Sequence, residues 1–133
     1  MILSDGTTSI TLPDDLEWTD ETAYSVVEQS AEYTVTGALV VDVGARLKGR
    51  PITLVGEMVG NQGLWVTRAV VDALRAWADT PGQVLTLTMT GYAAKSVMFR
   101  LQDGPGVEAR PVLFSAPIAA ADAYTLTLYL MEI

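Results

Sequence analysis

Only one stretch of this chain, Thr67 to Asp79, carries helical spacing, and nearly everything around it alternates with period two. In TRAVVDALRAWAD, Val70, Val71, Leu74, Trp77 and Ala78 fall on one side of a helix, with Arg68, Asp72, Arg75 and Asp79 mostly away from it. An apolar stripe of that kind needs a surface to pack on, and the rest of the sequence offers strands. Strands, one helix and more strands predict a mainly β fold, an antiparallel sandwich or split β-barrel with one flanking helix at Thr67–Asp79. A chain of 133 residues, half of them apolar, suits a single domain over 1–133 with a core that needs neither disulfides nor metal.

The strand pattern can be followed residue by residue. Ser9 to Leu12 reads as a short strand after a turn at Asp5-Gly6. Pro13 opens an acidic stretch (Asp14, Asp15, Glu17, Asp20, Glu21) around Trp18, read as a loop or edge arm. Next, Val27, Gln29, Ala31, Tyr33 and Val35 alternate with Glu28, Ser30, Glu32, Thr34 and Thr36, the pattern of a strand with one buried and one wet side. Gly37 reads as a bulge or bend. Leu39 to Val43 and Ile52 to Glu57 are further strands, with Ala45 to Gly49 as the tip between them, and Gly60 to Gly63 is a turn by composition. Trp65 is expected in the core or at a barrel mouth, and Trp77 as the anchor of the helix. Thr67 is a good N-cap type, and Thr80-Pro81-Gly82 ends the helix. Val84 to Thr90 and Val97 to Leu101 form a hairpin. Asp103-Gly104-Pro105-Gly106 is a strong turn, Val107 to Phe114 an edge or bulged strand containing Pro111, and Tyr124 to Leu130 a strong last strand.

Several chemistries fall on composition. The chain has no His and no Cys, which removes Ser–His catalysis, thiolate chemistry, HExxH zinc sites and Cys-ligated metal. No P-loop or dinucleotide fingerprint occurs. With 8 Lys and Arg against 16 Asp and Glu the net charge is −8, which disfavours non-specific binding to a nucleic-acid backbone. The first residues lack the pattern of a secretory signal and no segment approaches the length of a membrane span, so the chain is expected to be soluble and made in the cytoplasm, with no membrane partner. A positive mean hydropathy of +0.30 without a long apolar run points to subunit interfaces. No enzymatic activity, cofactor or metal is expected.

Two clusters invite a site. Asp14, Asp15 and Glu17 could hold a cation or supply a carboxylate pair, against the plainer reading of a solvated acidic loop. Arg46, Lys48 and Arg50 occupy alternate positions, so an extended chain points all three to one side. Their plain reading is a solvated tip. Their functional reading is an intersubunit contact with the acidic segment Asp14, Asp15, Glu17 of a neighbour. Trp18, among those acids, is either an interface anchor or a lid over the core edge.

The order of segments resembles the small β-barrel of long-tailed bacteriophage tails, shared by tail tube proteins, distal tail proteins and baseplate hub domains. The resemblance rests on the strand pair Tyr24 to Met58 with its run Gly49-Arg50-Pro51-Ile52-Thr53-Leu54. It rests also on the helix Thr67 to Asp79 and on the hairpin Val84 to Leu101 that contains Ser96-Val97-Met98-Phe99-Arg100. It implies a structural virion protein, a tail component synthesised in the host cytoplasm. Such a protein forms a ring with itself, a hexamer as the best expectation, and meets other tail or baseplate proteins. DNA would pass through the channel without specific binding, past acidic walls. The second domain common in distal tail proteins has no room here. Ring closure favours pairing of sheet edges between subunits, with the Pro111 strand and the N-terminal strand as candidates. The alternatives are a carbohydrate-binding β-sandwich for host attachment, which needs Trp18 or Tyr92 exposed on a groove, and a hydrolase using Asp14, Asp15 or Glu17.

Overall fold

The computed structural model describes residues 1–56, 58–59, 62–63, 65–114 and 116–133. Its centre is the longest strand, β13 (Ala123–Glu132), in which Tyr124, Leu126, Leu128 and Leu130 are buried and the residues between them are half-exposed. Strict alternation over ten residues gives one inward row, and this row is the spine of the core. Among the described residues four strands pair with β13, all antiparallel. On one side lie β6 (Pro51–Val55), matching Leu54 to Leu128 and Ile52 to Leu130, and β9 (Trp65–Thr67), matching Val66 to Tyr124. On the other lie β11 (Lys95–Phe99), matching Phe99 to Leu130, and β12 (Val107–Pro111), matching Val107 to Leu128. In every one of these pairs the opposed side chains face the same core, so a slip of one residue would turn the whole row outward.

The sheet continues outward from this centre. β10 (Leu85–Thr88) pairs with β11, β1 (Ile2–Ser4) with β10, and β2 (Ser9–Thr11) with β1, while β3 (Glu17–Trp18) pairs with β6 at the opposite end. The order is β2-β1-β10-β11-β13-β6-β3, and the terminal strands β2 and β3 do not pair with each other. The fold is therefore an open antiparallel sandwich with a single flanking helix and not a closed barrel. Leu3, Leu85, Leu87, Val97, Ile52, Leu54 and the β13 leucines fill its interior, joined by Val71 and Leu74 of the helix.

The helix α1 (Arg68–Ala78) lies where its spacing placed it. Thr67 is the N-cap by position, with an extended backbone, but its side chain makes no capping bond. Two of the free amides are instead satisfied by the chain ahead of β13: Arg68 N–H donates to Asp122 O (2.9 Å) and Ala69 N–H to Ala120 O (3.1 Å). Trp77 is half-buried against the core, as an anchor should be. The helix ends in Asp79 and Thr80 amide bonds back to Arg75 and Trp77, and Gly82 then takes a left-handed φ of 70°.

Several expectations are corrected. β1 was not anticipated; it lies ahead of the expected Asp5-Gly6 turn and contributes Leu3, which is fully buried. Trp65 is 43% exposed, on the outward face of β9, so it belongs neither to the core nor to a barrel mouth. The turn expected at Gly60 to Gly63 falls partly outside the described residues; β7 (Met58–Val59) and β8 (Gln62–Gly63), which flank Gly60 and Asn61, are paired antiparallel. The largest correction concerns residues 27–45.

Candidate functional site, an exposed arm and its root

Among the described residues β4 (Val27–Tyr33) and β5 (Leu39–Ala45) pair only with each other, in antiparallel register from Val27↔Ala45 to Tyr33↔Leu39. All fourteen residues are exposed. The expectation of one buried side in this run is thus overturned, although the alternation itself is real. The two strands form a two-stranded arm that stands off the sandwich, and no residue of it enters the core.

The turn that makes the arm is Thr34 to Ala38; of the bulge or bend expected at Gly37, the structure has the bend. Thr34 N–H donates to Ala38 O (2.7 Å), Gly37 N–H to Thr34 O (2.9 Å), and Ala38 N–H to Thr34 Oγ1 (3.1 Å). Gly37 has φ 86°, the left-handed residue that a three-residue hairpin loop requires. A residue with a Cβ meets no neighbouring atom there but would be strained by the backbone.

Register sorts the arm into two unlike faces. Val27, Ala31, Tyr33, Leu39, Val41, Val43 and Ala45 share one face with Gln29 as its single polar member. Glu28, Ser30, Glu32 and Asp42 share the other with Gly44 and Val40. The apolar face is open: Tyr33 is 78% exposed and Val43 65%. A lone two-stranded hairpin is at best marginal in water, and an open apolar face of this extent marks an interaction surface.

The basic residues sit at the root of this arm and not at a tip between strands; β5 runs through Ala45, and the turn expected at Ala45–Gly49 is the descent from arm to body. Arg46 Nε donates to Glu28 Oε2 (2.9 Å). The guanidinium of Arg50 lies 4.8 Å from the Trp18 ring and 6.0 Å from the Tyr24 ring, and Arg46 lies 5.6 Å from the same tyrosine. The order Trp18, Arg50, Tyr24, Arg46 is a ladder of alternating rings and cations that ties the arm to the sandwich. Arg50 also donates to the main-chain oxygen of Glu21 (2.8 Å). Trp18 is half-buried beneath Arg50 and meets Tyr92 edge to face at 5.6 Å, so it is a lid over the core edge. Tyr92 turns its hydroxyl to Glu21 (2.8 Å). Tyr92 is 43% exposed, whereas Trp18 is half-buried.

The acidic residues are placed differently from one another. Asp14 receives the Met1 amino group. Asp15 and Glu17 are exposed. Asp20 is structural, accepting from both the amide (2.9 Å) and the hydroxyl (2.8 Å) of Thr53 in β6. Among the described residues no group of three or more His, Cys, Asp or Glu is disposed to hold a metal. Within one chain Arg50 lies over Trp18 and shares Tyr24 with Arg46, and among the described residues neither arginine is ion-paired with Asp14, Asp15 or Glu17. Lys48 lines the same hollow at the arm root as Arg46, Arg50 and Lys95. What sequence reading missed is the arm's exposure. The available signal was Thr34-Val35-Thr36-Gly37, a hairpin loop between two runs of matched length.

Glu28 is held below the usual carboxylate range, first by its hydrogen bond from Arg46 and then by that charge. A lowered folded value means that the Glu28–Arg46 clasp is intact above the ordinary glutamate range and is lost as acid brings the pH down through the lowered value. NMR titration of the Glu28 side chain should show this depressed midpoint, and Arg46→Ala should return it upward. An unchanged midpoint in that variant would refute the pairing.

No protein-family model, curated protein or solved structure matches this chain. Among the described residues no helix is long and apolar enough to cross a membrane.

Proposed function

We propose that this chain is a structural protein that works as a homo-oligomeric ring, a component of the long tail of a bacteriophage positioned at the tube, the distal ring or a baseplate adaptor. The observation that carries the reading is the arm: seven paired residues per strand, all exposed, with one face apolar. A ribbon of this kind gains its stability by lying on another surface, and repetition of one such contact around an axis closes a ring. Open sheet ends at β2 and β3, and the outer side of β12, add unpaired backbone that a neighbour could complete. The net charge of −8 supports a wall past which DNA slides without adhering. The tail assignment within this reading comes from the order of segments, and the oligomeric assignment from the arm.

Light scattering on the purified protein at high concentration and physiological salt should give a multimer of defined mass. Electron microscopy with the other tail components should place it in rings. Monomer in the first experiment and no incorporation in the second would overturn the reading.

A further inference from the structure

We infer that the hollow at the root of the arm docks a short acidic segment of a partner protein. The hollow has a volume of about 300 Å³ and gathers Arg46, Lys48, Arg50 and Lys95. These are four of the chain's eight Lys and Arg, in a sequence that carries 16 Asp and Glu. Like charges set around one cavity repel, and the chain itself answers only half of them. Arg46 is paired with Glu28 (2.9 Å) and Lys95 with Glu132 (3.3 Å). Among the described residues Lys48 and Arg50 form no ion pair. Carboxylates are abundant in this molecule, yet these two cations are left to an outside one.

Arg50 is already set for such a ligand. Its guanidinium lies over Trp18 and beside Tyr24, and one of its amino groups donates to the main-chain oxygen of Glu21. A cation fixed in this way loses little freedom when a carboxylate arrives. Among the residues lining the hollow, Val26 is 52% exposed and Leu47 91% exposed. Open apolar side chains next to unpaired cations suit an extended peptide that carries carboxylates beside apolar residues.

A nucleic-acid strand fits less well. Its backbone needs a track of cations along many phosphates. Here the arm that begins at the hollow has Glu28, Glu32 and Asp42 between Val27 and Ala45 and no Lys or Arg. A second copy of this chain also fits less well. The exposed acids Asp15 and Glu17 adjoin Trp18, and Trp18 lies under Arg50, so that segment and the hollow share one flank of the molecule. Head-to-tail contacts in a ring join different flanks of adjacent copies, so the ring leaves the hollow unfilled. That last step alone rests on the ring reading.

Titration of the intact protein into a short fluorescent peptide of alternating Glu and Leu, followed by anisotropy, tests the site. The peptide should bind, and its affinity should fall as salt rises. The same peptide with Gln in place of Glu should not bind. Lys48→Glu should weaken binding about tenfold, because reversal replaces an attraction with a repulsion. Lys48 is exposed, so this change spares the fold, and circular dichroism checks it. Glu28→Gln should tighten binding by releasing Arg46 to the ligand, which a merely structural role for the cations would not produce. Light scattering at the same concentrations reads assembly separately. Equal binding by Lys48→Glu and the unaltered chain, or none by either, overturns the site and leaves the ring reading standing. Tighter binding of a single-stranded oligonucleotide, lost in Lys48→Glu, makes the hollow a phosphate site and overturns the acidic-segment assignment. A Lys48→Glu chain that no longer assembles makes the occupant a second copy and overturns it too. A monomer that still binds the peptide overturns the ring reading and leaves the site.

Discussion

Deleting Val27–Ala45 and joining Val26 to Arg46 through two glycines should leave a folded monomer and abolish assembly. The join is short because Arg46 N–H already donates to Val26 O at 2.7 Å. The body should survive because none of the deleted residues belongs to the core and the strands of the sandwich pair without them. The deletion removes only exposed contacts, and surface changes away from core, caps and networks usually fall within about 0.5 kcal/mol each. Thermal melting followed by circular dichroism reads the first half of the expectation, and light scattering the second. A deleted chain that still assembles at the concentration of the intact one would remove the arm from the interface. A chain that fails to fold would show that the arm supports the body in a way its exposure conceals.

The opposite pattern is expected at Leu128. It is fully buried at the middle of β13, between Leu54 on one side and Val107 on the other. Leu128→Ala removes three carbons, the branching methine and its two methyls, from a position bounded by paired strands on both sides, where the backbone has little freedom to collapse inward. The expected loss is about 2–5 kcal/mol, a large part of the stability of a domain this size. Urea unfolding should show a lowered midpoint with an unchanged slope. A loss under about 1 kcal/mol would place Leu128 outside the cooperative core. Together the two variants separate the molecule into a body that folds alone and an arm that acts between chains.

The division explains which parts of the structure could be read from sequence. α1 and β13 were legible because each carries a long apolar row of one period, and burial follows period when a core lies on that side. The β10–β11 hairpin and the edge character of β12, marked by Pro111, were legible for the same reason together with turn chemistry. Residues 27–45 alternate just as well, but alternation reports only that one face seeks cover. It does not report whether the cover belongs to the same chain. Val41 and Leu54 look alike in sequence; Leu54 faces Leu128, and Val41 faces solvent with Ala31 opposite. Arg46, Lys48 and Arg50 were singled out by spacing, but spacing could not foresee that Trp18 and Tyr24 would take up two of them. Two rings and a cation from three separate segments meet only after the sheet has formed.

The position of β13 in chain order has a consequence for biosynthesis. All four of its partner strands precede it, so their main-chain bonds wait until it leaves the ribosome. The arm needs only nineteen consecutive residues, Val27 to Ala45, and its turn contacts are local. Local hairpins form in microseconds, whereas distant strand pairings are slow. A nascent chain therefore displays a finished ribbon with an open apolar face before the sandwich beneath it has closed. Neighbouring chains on one message could meet through these ribbons too early, and production of this protein should benefit from slow synthesis or a chaperone that shields exposed strands.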